Sequence, residues 1–179
     1  MSVLISITNL ELGNAVSAST ELLQAHHIKG QRYMNLMFSS PVGNPEAAML
    51  LVDAMRQCQA DGMYINGMVL GMSYGPAVFA LQACDRRVMS KYAQLMLPQY
   101  QTVVEPTKKA GFGPADPVDE EEIVMMERIK FMQQLMKALL PAALHEYHFP
   151  DRWPKQPMPR FWTADEALAA GLIDEVIPA

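Results

Sequence analysis

RYMNLMFSSPVGNPEAAMLLVDAMRQCQADGMYING, residues 32–67, reads as strand, turn, helix and strand in unbroken succession. Arg32 to Phe38 is an apolar run of strand length. The turn Ser39-Ser40-Pro41-Val42-Gly43-Asn44-Pro45 combines two prolines with a glycine. From Pro45 to Ala60, the residues Ala48, Leu51, Val52 and Met55 share one face at helical spacing. Gly62 to Gly67 then predicts a second strand. A strand, a helix and a strand in this order form a βαβ unit, whose strands run parallel.

The pattern extends in both directions. Upstream, Val3 to Thr8 is a short β-branched run, and Glu11 to His26 carries Leu12, Val16, Leu22 and Leu23 at helical spacing. Downstream, Ser73 to Cys84 predicts a helix of small residues and Gln94 to Leu97 another strand. The expectation is an α/β fold of βαβ units with a mainly parallel sheet, in a single domain over residues 1–179. Val104 to Asp116 reads as loop. Asp116 then suits a helix N-cap, Pro117 the first helical position, and the acids 119–122 the positive end of the helix dipole. This helix, 117–140, has apolar residues on more than one face, which fits either a deeply buried core helix or one shared between subunits. Tyr147 to Pro159 is proline-rich. Thr163 and Glu166 predict a capping box, and Gly171 the helix stop.

Composition narrows the function classes. Half of the 179 residues are hydrophobic, 18% are charged, and the net charge is −5. An acidic chain argues against nucleic-acid and anionic-membrane partners. No apolar run reaches the roughly 18 residues of a membrane span. The opening MSVLISITNL lacks a basic stretch and a cleavage site, so no signal peptide is expected. Cys58 and Cys84 make neither a disulfide framework nor a metal pattern. With no HExxH and no P-loop, no metal and no cofactor is expected, and the expected compartment is the reducing cytoplasm.

Gly71-Met72-Ser73-Tyr74-Gly75 is a GxSxG sequence after a predicted strand. Small flanking residues permit the sharp turn that lifts a nucleophilic serine clear. The motif arises by chance in roughly one chain in twenty of this length, so a passive serine on a glycine turn stands beside the catalytic reading. The turn Ser40 to Asn44, ahead of a helix, would offer backbone N–H donors to an oxyanion, or is an ordinary βα turn. His26 and His27 close the first helix and read as structural. His145 and His148 are the only histidines after Ser73, hence the only ones a Ser, acid, His order would use, but no acid lies on a predicted strand end between them.

Phe38 to Pro98 resembles the proteolytic subunit of Clp protease, in the ClpP/crotonase superfamily. The family's "NSPGG" corresponds to Ser39-Ser40-Pro41-Val42-Gly43, and its "ASMG" to the segment around Ser73. The count from Ser73 to Arg87 equals the family's count from its serine to the arginine of the next strand. RFWTADEALAAGLIDEVI, residues 160–177, is similar to the family's C-terminal motif. The resemblance implies a ClpP/crotonase-like fold in which helix 117–140 is a protruding handle that stacks two rings. It implies Ser73 as nucleophile, with oxyanion donors from Val42, Gly43 and Tyr74.

The departures fall on the proton relay. Pro98 stands in place of the family's histidine, and Pro159 in place of its aspartate. A serine without a base is a weak nucleophile. Val42 replaces a glycine, and a β-branched residue disfavours positive φ. The expectation is therefore a catalytically impaired, ClpP-like subunit of a homo-oligomeric ring with a structural or regulatory role in protein degradation, alone or with an active ClpP paralogue. The family's axial segment has no counterpart before Val3, which argues against docking of an AAA+ unfoldase. The alternative is an active serine peptidase with Lys108, Lys109, His145 or His148 as substitute base. A crotonase-type acyl-CoA enzyme is the third reading, disfavoured by the short chain and the missing glycine-rich second oxyanion segment.

Overall fold

Residues 3–98, 120–148 and 159–178 are described by a computed structural model. It is an α/β architecture built on a parallel sheet. The first strands are β1 (Val3–Ile7), β2 (Tyr33–Phe38) and β3 (Tyr64–Val69), with α1 (Leu12–His27) and α2 (Pro45–Ala60) as crossovers. Two further strands, β5 (Arg86–Ser90) and β8 (Glu175–Ile177), complete a five-stranded sheet in the order β1-β2-β3-β5-β8, every pair parallel. A second, three-stranded sheet joins β4 (Met72–Tyr74), β6 (Gln94–Leu97) and β7 (Arg160–Trp162). The remaining helices are α3 (Pro76–Gln82), α4 (Glu120–Leu139), α5 (His145–His148) and α6 (Ala164–Ala169), with a 3-10 turn at Ala142–Leu144.

Local chemistry explains the element ends. Asn44 caps α2: its side-chain oxygen accepts from the N–H groups of Glu46 and Ala47, and Pro45 occupies the first turn. The Thr163–Glu166 capping box forms as expected at α6, and Gly171 follows with φ 73°. The second predicted strand is displaced, Tyr64–Val69 instead of Gly62–Gly67. Gly62 has φ 87° and belongs to the turn that ends α2. The predicted helix from Ser73 to Cys84 is shorter. Met72–Tyr74 pairs into the small sheet, Gly75 takes φ 50° and ψ −115°, and Pro76 opens the helix. Strands β5 and β7 lack the alternation that periodicity would detect: β5 is Arg-Arg-Val-Met-Ser and β7 only three residues. The expected cap of the long helix at Asp116 and Pro117 lies outside the described residues.

The core lies between the large sheet and the helices. On β2, Met34, Leu36 and Phe38 are fully buried, and they join Leu22 of α1 and Leu51 and Met55 of α2. Each such side chain contributes about 1.5–3 kcal/mol relative to exposure. The contact between β3 and α3 is closest at Gly67. A Cβ there would come 2.7 Å from both the Cys84 Sγ and the Leu81 Cδ1. Leu81 and Cys84 are themselves buried, so neither side chain has open space to enter.

A polar clasp ties the C-terminal segment to the sheet. Arg87 of β5 grips Asp174 with Nε (3.1 Å) and Nη2 (2.6 Å), while its backbone N–H donates to the same carboxylate. Its Nη1 reaches Gln82 of α3 and the Gly171 carbonyl, and Gln82 in turn donates to the Leu172 carbonyl. Arg86 pairs with Glu175 beside it.

Two stability predictions follow from these contacts. Gly67→Ala will overpack the β3–α3 contact and cost about 1–3 kcal/mol in urea denaturation; equal stability would show that the contact is looser than described. Hydrogen bonds from Arg87 hold the Asp174 carboxyl below its ordinary range. Its contribution is therefore complete above the unfolded value of about 4 and disappears as pH falls through the lowered folded one. Because the carboxylate is partly exposed, Asp174→Asn will cost only about 1 kcal/mol at neutral pH. The gap to the parent chain, read from melting curves at a series of pH values, will narrow in acid.

Candidate active site

The loops that follow β1, β2 and β3 gather at the edge where these parallel strands end, the usual place for sites in such sheets. Ser40 organises them. Its hydroxyl accepts the Leu10 N–H at 3.0 Å and donates to the Val42 carbonyl at 2.5 Å. Its own carbonyl accepts the Tyr74 N–H at 2.9 Å. Gly43 forms a parallel bridge with Leu10, and a Cβ on it would stand 3.3 Å from the Leu10 Cβ and 3.4 Å from the Pro76 Cβ. The turn is thus clamped between the first strand's exit and the start of α3.

Ser73 sits at the centre of β4, three residues before α3. It belongs to a strand and not to the helix predicted from Ser73 to Cys84. Its side chain is 0% exposed, and Oγ has no hydrogen-bond partner among the described residues. The register places Ser73 beside Leu95 and Leu95 beside Trp162. Residues in one row across a sheet share a face, so Ser73, Leu95 and Trp162 project to the same buried side. The Trp162 Nε1 likewise lacks a partner among the described residues.

The two prolines flank the end of one strand pair. β6 and β7 are antiparallel, with Leu97 opposite Arg160. Pro98 follows Leu97 and Pro159 precedes Arg160, so the two prolines are the residues just outside that last pair. Positions counted out from separate sequence motifs therefore converge at one end of the strand pair that carries the Ser73 row. Pro159 is exposed and Pro98 half-buried.

His148 also comes to this place. Its Nδ1 lies 3.0 Å from the Pro98 carbonyl oxygen, and its ring centroid is 6.4 Å from that of Trp162. The side chain is buried. A carbonyl can only accept, so Nδ1 carries the proton and Nε2 keeps its lone pair, the tautomer of a general base. Burial pushes the His148 pKa below the ordinary histidine value, and the nearby Arg160 charge adds to this against the opposing bond to Pro98. Arg160 itself lies over the Trp162 ring, 3.8 Å from the centroid. His145 is placed differently: its Nε2 bonds to the Leu140 carbonyl at 3.0 Å, at the end of the long helix. Lys108 and Lys109 lie outside the described residues.

The oxyanion candidates are not all free. The Tyr74 N–H is committed to Ser40, and Val42, half-exposed, keeps a φ that is not positive. Cys84 offers no alternative nucleophile, since burial holds its thiol well above the ordinary value. No family model matches the chain, and no curated protein matches it. Nothing in the spacing pointed to the meeting of His148 with Pro98. It arises from a short helix, α5, folding back onto the end of β6.

An NMR titration checks this placement. The His148 ring will change its protonation state below the ordinary value of about 6.5, and Arg160→Ala will move it upward. A His148 titration at or above the ordinary value would remove the buried, neutral ring from the site.

Proposed function

We propose that this chain is a ClpP-like subunit of a ring-shaped homo-oligomer, structural or regulatory in protein degradation, with its own peptidase chemistry switched off. The observation that carries the proposal is the state of Ser73: fully buried on the row shared with Leu95 and Trp162, next to a Tyr74 N–H already bound to Ser40. The resemblance assigns the proton relay to positions held by Pro98 and Pro159, neither of which can accept or pass a proton. Support for assembly comes from the other face of the small sheet, where Met72 and Phe161 are exposed and Tyr74 meets Phe161 edge to face at 5.9 Å. Phe131, on α4, is exposed as well.

A second reading has one specific observation in its favour. His148 brings a neutral imidazole of the correct tautomer to the Pro98 carbonyl, and that ring would serve Ser73 as substitute base if the serine became accessible.

A fluorophosphonate probe separates the two. The switched-off subunit will not label, whereas labelling that vanishes in both Ser73→Ala and His148→Ala would establish the Ser73–His148 pair and overturn the impaired reading. Light scattering at micromolar concentration will give a particle several times the 19.9 kDa chain; a monomer would overturn the ring.

A further inference from the structure

At the edge of the large sheet where the strands begin, two sixteen-residue helices finish side by side. α1 ends on His26 and His27, and Asp61 is the C-cap of α2. A helix C-terminus carries partial negative charge and favours a cation. One ring nitrogen from each histidine and a carboxylate oxygen of Asp61 all lie within 4.8 Å of one another. His26 Nε2 stands 3.8 Å from the Asp61 Oδ2, and the two rings meet edge to face with centroids 4.7 Å apart.

His26 is the anchored member. Its side chain is 5% exposed, and Nδ1 lies 3.2 Å from the Gln31 carbonyl oxygen. With Nδ1 donating to that carbonyl, Nε2 is the ring nitrogen that faces the Asp61 carboxylate. A cation shared by the two, a proton or a metal ion, satisfies both. The 3.8 Å gap is too long for a hydrogen bond. It is near the separation of about 3.4 Å between two ligands on a tetrahedral ion with bonds of 2.0–2.1 Å. The bond from Nδ1 to a carbonyl is also the one by which metal-bound histidines are oriented. His27 and Asp61 are both exposed, so their side chains are free to close the remaining distance. Arg32 donates to the Asp61 backbone carbonyl, which leaves the carboxylate facing the rings.

We propose that His26, His27 and Asp61 form a binding site for a first-row transition-metal ion, zinc(II) above all, with water completing the coordination. Two imidazoles and one carboxylate suit zinc, and suit magnesium and calcium poorly. The site lies at the opposite end of the parallel strands from Ser73 and is independent of any chemistry there.

The test is calorimetric titration of the untagged, chelator-treated full chain with zinc chloride. One equivalent will bind per chain, Ser73→Ala will bind equally well, and His27→Ala and Asp61→Asn will each weaken binding by at least about tenfold. Both altered residues are exposed, so the variants keep the fold. Zinc will raise the melting temperature of the parent chain and leave that of Asp61→Asn unmoved. Absence of stoichiometric binding, binding unchanged in both variants, or magnesium binding as tight as zinc would each overturn the assignment.

Discussion

Ser40 holds three segments with one residue. Its hydroxyl joins the chain leaving β1 to the turn after β2, and its carbonyl takes the first N–H beyond Ser73. The Ser40 side chain is buried, where an unmade polar contact costs about 1–3 kcal/mol. The loops at this edge therefore move together or not at all. The position of β4, and through it the whole small sheet, follows from that restraint. The residue after Ser73 is held by a serine of the turn that reads as an oxyanion candidate.

The same restraint decides what chemistry is open to the site. An oxyanion needs donors that wait unoccupied for charge to develop. Here the N–H after Ser73 is already satisfied, so an acyl group would have to break a backbone bond before gaining anything from it. The buried histidine at Pro98 adds a base of suitable tautomer, but nothing in the described residues opens the row on which Ser73 lies. His148 and Ser73 both lie against the small sheet, and both side chains are buried there.

Much of the scaffold was legible from residue types. The helical face of Ala48, Leu51, Val52 and Met55, the proline at the start of α2, and the Thr163–Glu166 box all act locally, and local chemistry survives in any context. Strand β4 was not legible, because three residues carry no period and the pairing with β6 spans a long stretch of chain. The helix of small residues predicted from Ser73 to Cys84 starts only at Pro76, because the glycine at position 75 takes a backbone conformation unfavourable to other residues and ends β4. The His26–His27–Asp61 cluster escaped notice for a related reason. Adjacent histidines at a helix end read as dipole partners, and only the side-by-side packing of α1 and α2 brings an aspartate to them.

Pro98 and Pro159, discussed so far for the side chains they lack, also lack backbone donors. Neither residue has a backbone N–H to donate, so neither can donate in a further rung beyond Leu97 and Arg160. The strand pair is thereby given a fixed length. Pro98→His and Pro159→Asp together would introduce two backbone N–H groups along with two titratable side chains. Among the described residues, any backbone donor at this end of the pair has to come from a residue other than these two.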